Sequence, residues 1–118
     1  VKFLGVRADI PALLSAMDEF IFPSLFEGMP NTIIEAQTNG LPCLISDTIT
    51  KQAKQTDLVH FVTLASTAKC WAKKAIEMAN MSEIDRRDLF ANQMKMAGYE
   101  IKDVTKKFIQ LVFENTKE

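Results

Sequence analysis

One histidine (His60) and two cysteines (Cys43 and Cys70) are all that this 118-residue chain holds of those residue types. The cysteines match no metal-ligand or redox spacing, which excludes the common zinc and dithiol motifs. Cys43 lies in an apolar run and Cys70 beside Trp71, so both read as small core residues of a protein in a reducing compartment. No apolar stretch approaches the roughly 18–20 residues of a membrane span, and the start shows no secretory signal pattern. A net charge of −1 leaves no general attraction to nucleic acid. With four glycines and four prolines, no tract reads as a linker, a low-complexity segment or a repeat. What remains is an ordinary globular composition, 47% apolar and 25% charged, of a size for one small domain. The first residue is Val1, and Val1–Gly5 already looks like a buried strand without a lead-in. The chain therefore reads as a piece of a longer one.

Strand and helix signals alternate over the first half. Val1–Leu4 is predicted as a strand ended by Gly5. Asp9 and Pro11 suit the start of a helix whose apolar face is Leu13, Leu14 and Met17. Glu19–Pro23 is a second strand, and its row Phe20-Ile21-Phe22 suits burial on both faces. Pro30–Asn39 is a helix ended by Gly40. Pro42–Ser46 is a third strand, Asp47–Gln55 holds a short helix, and Leu58–Leu64 is a fourth strand. From Ser66 the pattern is helical: Lys69–Met78 with Ala68, Trp71, Ala72, Ala75 and Met78 on one side; a capping box at Ser82–Asp85 opening a helix toward Gly98; and Asp103–Asn115 with Val104, Phe108, Leu111 and Val112 in a stripe. The expected fold is α/β, a Rossmann-like parallel sheet of about four strands with flanking helices and a helical C-terminal end. Residues 1–65 form the β/α portion and 66–118 the helical end.

The chemistry concentrates where the second strand passes into its helix, over Ser24–Glu35. In an open parallel sheet, ligands bind beyond the carboxyl ends of the strands. Gly28 permits a tight turn and a close backbone approach. Pro30 suits the first helical position, leaving the amides of Asn31 and Thr32 to point outward as an anion site. Glu35 cannot share that anion, because like charges repel, but it can accept hydrogen bonds from a ribose diol. Glu27, in the loop, can accept hydrogen bonds from sugar hydroxyls. Together they span ribose, diphosphate and sugar, the parts of a nucleotide sugar. The plainer reading of the same residues is an ordinary helix start with Glu35 facing solvent.

The run Phe22-Pro23-Ser24, then Glu27-Gly28, Pro30, Glu35-Ala36, Gly40 and Pro42 resembles the signature of retaining glycosyltransferases of family four, which have the two-domain B-type fold. That family carries two glutamates separated by seven residues, matched by Glu27 and Glu35. Val1-x-Phe3-Leu4-Gly5 is similar to the strand before the signature. Thr56–Phe61 and Trp71-Ala72 resemble the bacterial subgroup that builds capsular polysaccharide and exopolysaccharide. The resemblance covers residues 1–80, most strongly 20–46. It implies that Glu35 holds the ribose hydroxyls, that the amides of Met29, Asn31 and Thr32 face the diphosphate or sugar, and that Glu27 contacts the transferred hexose as the catalytic carboxylate. It also implies that Arg7 lies near the base. The implied reaction is hexose transfer, with retention, from a UDP- or GDP-linked donor to a hydroxyl of a glycan or lipid-linked acceptor, without cofactor or metal. The implied setting is cytoplasmic, with the full-length protein at the inner face of the membrane as an open extension. The family's diphosphate-gripping Arg and Lys and its N-terminal acceptor domain lie upstream in the family pattern. The chain alone is therefore expected to be inactive and to self-associate through its exposed sheet edge.

Other residues carry weaker signals. His60 and the methionines Met78, Met81, Met94 and Met96 read as structural. Asp47 reads as a cap of the short helix after the third strand. Lys73-Lys74 and Lys106-Lys107 read as solvated helix faces. Two other function classes stay open. One is a non-catalytic signalling module of receiver type, which lacks its acidic pair here because only Asp47 is available. The other is a nucleotide-sugar-binding relative without transferase activity.

Overall fold

The computed structural model describes residues 1–81 and 87–114. Three short apolar segments, β1 (Phe20–Phe22), β2 (Cys43–Ser46) and β3 (Val59–Val62), pair in parallel in the order β1-β2-β3. Phe20 stands opposite Cys43, and Cys43 opposite Val59. All four residues of β2 are buried, as expected of a central strand covered on both faces. β1 is an edge strand. Phe20 and Phe22 turn inward with ring centroids 5.7 Å apart, while Ile21 between them is exposed. The expectation that this row is buried on both faces is thus corrected by its edge position.

The helices are α1 (Ile10–Ser15), α2 (Asn31–Thr38), α3 (Ala68–Met81), α4 (Arg87–Met96) and α5 (Ile101–Ile109), with a π turn at Gln110–Glu114 and a 3-10 turn at Lys51–Ala53. α2 lays Ile33, Ala36 and Gln37 onto the core. It ends in a Schellman arrangement: the Leu41 amide donates to the Ala36 carbonyl and the Gly40 amide to that of Gln37, each at 2.9 Å. Gly40 takes a φ of 76°, which glycine adopts without penalty. This stop turns the chain straight into β2. Leu14, Ile33, Leu41, Cys43, Ile45, Ile49 and Val59 make the core, and Met17, Phe20, Phe22 and Phe61 pack on it. α4 packs against α2 and buries Met94.

Several expectations change. Val1–Leu4 forms no strand; Val1, Phe3 and Leu4 are exposed and pair with nothing beside β1. A strand exists only through its hydrogen-bonded neighbour, and the three described strands leave this segment none. Pro30 is the N-cap of α2, with ψ 107°, so the first helical residue is Asn31. Asp47 does not cap the short turn, where Thr50 does so; instead its carboxylate accepts the Leu64 amide at 3.2 Å, tying the loop after β2 to that after β3. Cys43 is buried but Cys70 is exposed, because Trp71, Ala75 and Met78 define the inward side of α3 and Cys70 lies off it. Ala72 is exposed for the same reason, and Ala68, on the inward stripe, is exposed at the first position of the helix. Met96 is exposed while Met78 and Met94 are buried. His60 is exposed on β3, and its pKa is lowered by desolvation and by the charges of Lys74 and Lys54. The Ser82–Asp85 capping box, Asn115 and the Met81 side chain lie outside the described residues. α5 begins at Ile101, two residues before its expected start.

Candidate functional site

The loop from Ser24 to Met29 leaves the carboxyl end of β1 and enters α2. Hydroxyl groups from the next strand hold it. The Ser24 carbonyl accepts from the Ser46 hydroxyl in a short contact and from the Thr48 hydroxyl at 2.9 Å. Thr48 Oγ1 is also 3.1 Å from Ser46 Oγ. Ser46 ends β2, so the loop is stapled to the carboxyl edge of the central strand, where a parallel sheet places its ligands. Sequence reasoning missed Ser46 and Thr48. The signal is the alternation of hydroxyl residues just past an apolar strand, which reads in isolation as an ordinary polar turn.

Within the loop, the Ser24 hydroxyl donates to Glu27 Oε1 at 2.9 Å. Glu27 is half-buried and held by a residue that is itself anchored. This is a positioned carboxylate, one oxygen of which is committed to the protein. Leu25, Phe26 and Met29 beside it are exposed. Gly28 is exposed, has no positive φ, and has no heavy atom within 4 Å of where a Cβ would stand. The turn as it stands does not demand glycine, so the expected backbone reason gives way to open access beside Glu27.

At the start of α2, the Ile33 and Ile34 amides donate back to the Pro30 carbonyl. Among the described residues, the amides of Asn31 and Thr32 donate to no acceptor, and both residues are exposed. The first turn holds no acidic residue. Two free amides at the positive end of a helix dipole favour an anion.

Glu35 lies one turn further on the exposed side of α2. It borders a cleft of about 360 Å³ whose other walls include Ile10, Pro11 and Leu14 of α1, with Thr38 and Tyr99. Glu27 and Arg7 are not in that wall. Arg7 stands before α1 in a two-pronged pair with Asp9, Nε to Oδ1 at 2.8 Å and Nη2 to Oδ2 at 2.6 Å. The pair raises the Arg7 pKa and lowers that of Asp9. Asp9 therefore precedes α1 without capping it through its side chain. The structure gathers Glu27, Gly28, Met29, Pro30, Asn31 and Thr32 along one sheet edge, puts Glu35 on the adjoining helix flank, and leaves Arg7 engaged with Asp9. A larger cleft of about 630 Å³, at Lys51, Lys54, Phe61 and Gln93, includes none of these residues. Among the described residues, no three His, Cys, Asp or Glu side chains cluster as metal ligands.

The family described as glycosyl transferases group 1 matches residues 1–81. EpsF of Bacillus subtilis (strain 168), which bears a glycosyltransferase name, is 36% identical over 101 residues, covering 85% of this chain and 26% of its own length. The UDP-Gal:alpha-D-GlcNAc-diphosphoundecaprenol alpha-1,3-galactosyltransferase of Escherichia coli is 59% identical over 44 residues, 37% of this chain and 11% of that protein. The N,N'-diacetylbacillosaminyl-diphospho-undecaprenol alpha-1,3-N-acetylgalactosaminyltransferase of Campylobacter jejuni subsp. jejuni serotype O:2 (strain ATCC 700819 / NCTC 11168) is 43% identical over 47 residues, 40% of this chain and 12% of that protein. The chain spans about a quarter of the length of the first of these relatives and about a tenth of the other two. No solved structure matches.

Proposed function

Because the chain belongs to the glycosyl transferases group 1 family, we propose that the β1–α2 junction is part of the donor site of a hexosyltransferase that uses a nucleotide-diphosphate sugar. The observation that carries this reading is the pair of undonated amides at Asn31 and Thr32, set beside the held carboxylate of Glu27 on the carboxyl edge of the sheet. The amides and the helix dipole suit the donor diphosphate. Glu35 accepts hydrogen bonds from the ribose hydroxyls, and the apolar wall of its cleft suits the uncharged remainder of the nucleoside. Glu27 accepts hydrogen bonds from hydroxyls of the hexose through its oxygen not held by Ser24.

In the reaction so proposed, the bond from the anomeric carbon to the diphosphate oxygen breaks. A bond to an acceptor hydroxyl oxygen forms on the same face, and that hydroxyl's proton leaves. Charge grows on the departing diphosphate, so fixed donors there lower the barrier without reorganising. The donor is UDP- or GDP-linked and no metal is required. The acceptor is a glycan or lipid-linked glycan in bacterial polysaccharide assembly, bound by an N-terminal domain outside residues 1–118. The relatives named for diphosphoundecaprenol-linked substrates support that acceptor class and a peripheral position at the inner membrane face. Self-association of the 118-residue chain and its inactivity alone belong to the same proposal.

The test is steady-state kinetics of the intact enzyme. Glu35→Ala raises the donor KM with a smaller effect on kcat, while Glu27→Ala lowers kcat by at least the 10²-fold typical of losing one positioned polar group, roughly. Unchanged kinetics in both variants would remove the assignment.

A further inference from the structure

α4 closes with the same kind of stop as α2. The Gly98 amide donates to the Lys95 carbonyl at 2.9 Å and the Tyr99 amide to the Met94 carbonyl at 3.1 Å, with Gly98 at a φ of 90°. Met94 is buried and α4 packs against α2, so the stop delivers Tyr99 to a fixed place. That place is the wall of the cleft that Glu35 borders. Ile10, Pro11 and Leu14 of α1 and Ile34 of α2 line the same cleft. Asn39 clips the two helices together beside it, its Nδ2 donating to the Pro11 carbonyl at 3.3 Å and to Ser15 Oγ at 3.0 Å. The cleft, of about 360 Å³, is thus aliphatic and aromatic around one carboxylate, the usual make-up and size of a small-molecule site.

Along α2 the chemistry comes in the order of a nucleoside diphosphate. The Asn31 and Thr32 amides, without an acceptor among the described residues, open the helix. Glu35 follows about 6 Å along the axis, and Thr38 and Asn39 about 5–6 Å beyond it. Asn31, Glu35 and Asn39 are four residues apart and share one side of the helix. Anion donors, a diol acceptor and an apolar wall therefore succeed one another as diphosphate, ribose and base do. We infer that the donor's base lies against the ring of Tyr99, which makes Tyr99 the residue that recognises the donor as a nucleotide. The inference rests on the proposed donor site and names the group that completes it. A sugar ring against this wall would leave its hydroxyls unpaired, whereas a flat base presents a π face that an aromatic side chain stacks on. Such stacking tolerates uracil and guanine alike, so Tyr99 grips the base without choosing between them.

The experiment is calorimetric titration of the intact enzyme with UDP, GDP and inorganic diphosphate. The parent is expected to bind at least one of the two nucleotides more tightly than inorganic diphosphate. Tyr99→Leu keeps apolar bulk but removes the π face. It is expected to weaken the nucleotide about tenfold and to leave inorganic diphosphate within about twofold. Tyr99→Phe keeps the ring and is expected to hold nucleotide affinity within about twofold of the parent. Unchanged melting midpoints confirm the fold of each variant. If Glu35→Ala weakens nucleotide binding and Tyr99→Leu does not, the donor site stands and this inference falls. If neither variant does, or the parent binds neither nucleotide, both fall. Equal loss of inorganic diphosphate in Tyr99→Leu, or a Tyr99→Phe as weak as Tyr99→Leu, also overturns the inference.

Discussion

Replacing Gln37 tests most directly what holds the candidate site in place. Gln37 is fully buried on the inner side of α2, two residues past Glu35. Its Nε2 donates to the Ala53 carbonyl at 2.8 Å and to the Ile33 carbonyl at 3.2 Å. Its Oε1 accepts from the Gln55 amide at 3.0 Å, the Thr56 amide at 3.0 Å and the Thr56 hydroxyl at 3.1 Å. One amide therefore binds α2 to the whole connection between β2 and β3. Gln37→Leu keeps the volume and strands the Thr56 amide and the Ala53 carbonyl away from water. Each unsatisfied buried group costs about 1–3 kcal/mol. Burying a leucine returns about 1.5–3 kcal/mol, which leaves a net loss of about 2 kcal/mol. For a chain of this size that is a fall of roughly 8 °C in Tm. Urea unfolding followed through Trp71 measures it, with the slope compared between variants.

Gln37→Glu refines the test. The carboxylate keeps the three acceptor contacts but sets an oxygen against two carbonyls. Protonation restores a donor toward Ala53, so the folded-state pKa rises above the unfolded value. Its stability should approach the parent's below the ordinary carboxylate range and fall as pH rises through the folded pKa. A Gln37→Leu protein within about 0.5 kcal/mol of the parent, the scatter of an ordinary surface change, refutes the reasoning. A pH-independent deficit in Gln37→Glu also refutes it.

Two further outcomes follow from the electrostatics. Glu19, before β1, has a buried Oε1 with no hydrogen-bond partner among the described residues, and burial pushes its pKa up to about 7. Its folded state binds the proton more tightly than the unfolded chain, so stability is greatest below the ordinary carboxylate pKa and declines as pH rises toward 7. Much of the side chain meets solvent, so the effect is about 1 kcal/mol, and Glu19→Gln should flatten the decline in urea midpoints taken across that range. Cys43 is buried, and burial followed by the nearby Glu19 charge pushes its thiol up to about 12, whereas Cys70 is exposed. A disulfide reagent at neutral pH should label Cys70 quickly and Cys43 only on unfolding; equal rates in native buffer contradict the packing of β2.

Much of the fold was legible because its signals are local. The apolar row Cys43-Leu44-Ile45 and the stop at Gly40 each depend on neighbours within a turn or two of chain. The place of the candidate site was legible for the same reason, since Glu27, the α2 start and Glu35 belong to one continuous segment. Its support was not. The Ser46 and Thr48 hydroxyls reach Ser24 across more than twenty residues, and Gln37 finds its partners sixteen to nineteen residues on. No residue type announces a partner that distant.

By itself the sequence determined the alternation of strand and helix, the stop of α2 at Gly40 and the pairing of two glutamates around a helix start, because backbone sterics and periodicity act over a few residues. Only the tertiary structure decided that Val1–Leu4 stays unpaired, that β1 is an edge, that Arg7 is taken up by Asp9 and that the apolar stripe of α5 is exposed. A strand needs a neighbour and an amphipathic helix needs something to turn toward. Both are supplied, or withheld, by the rest of the chain.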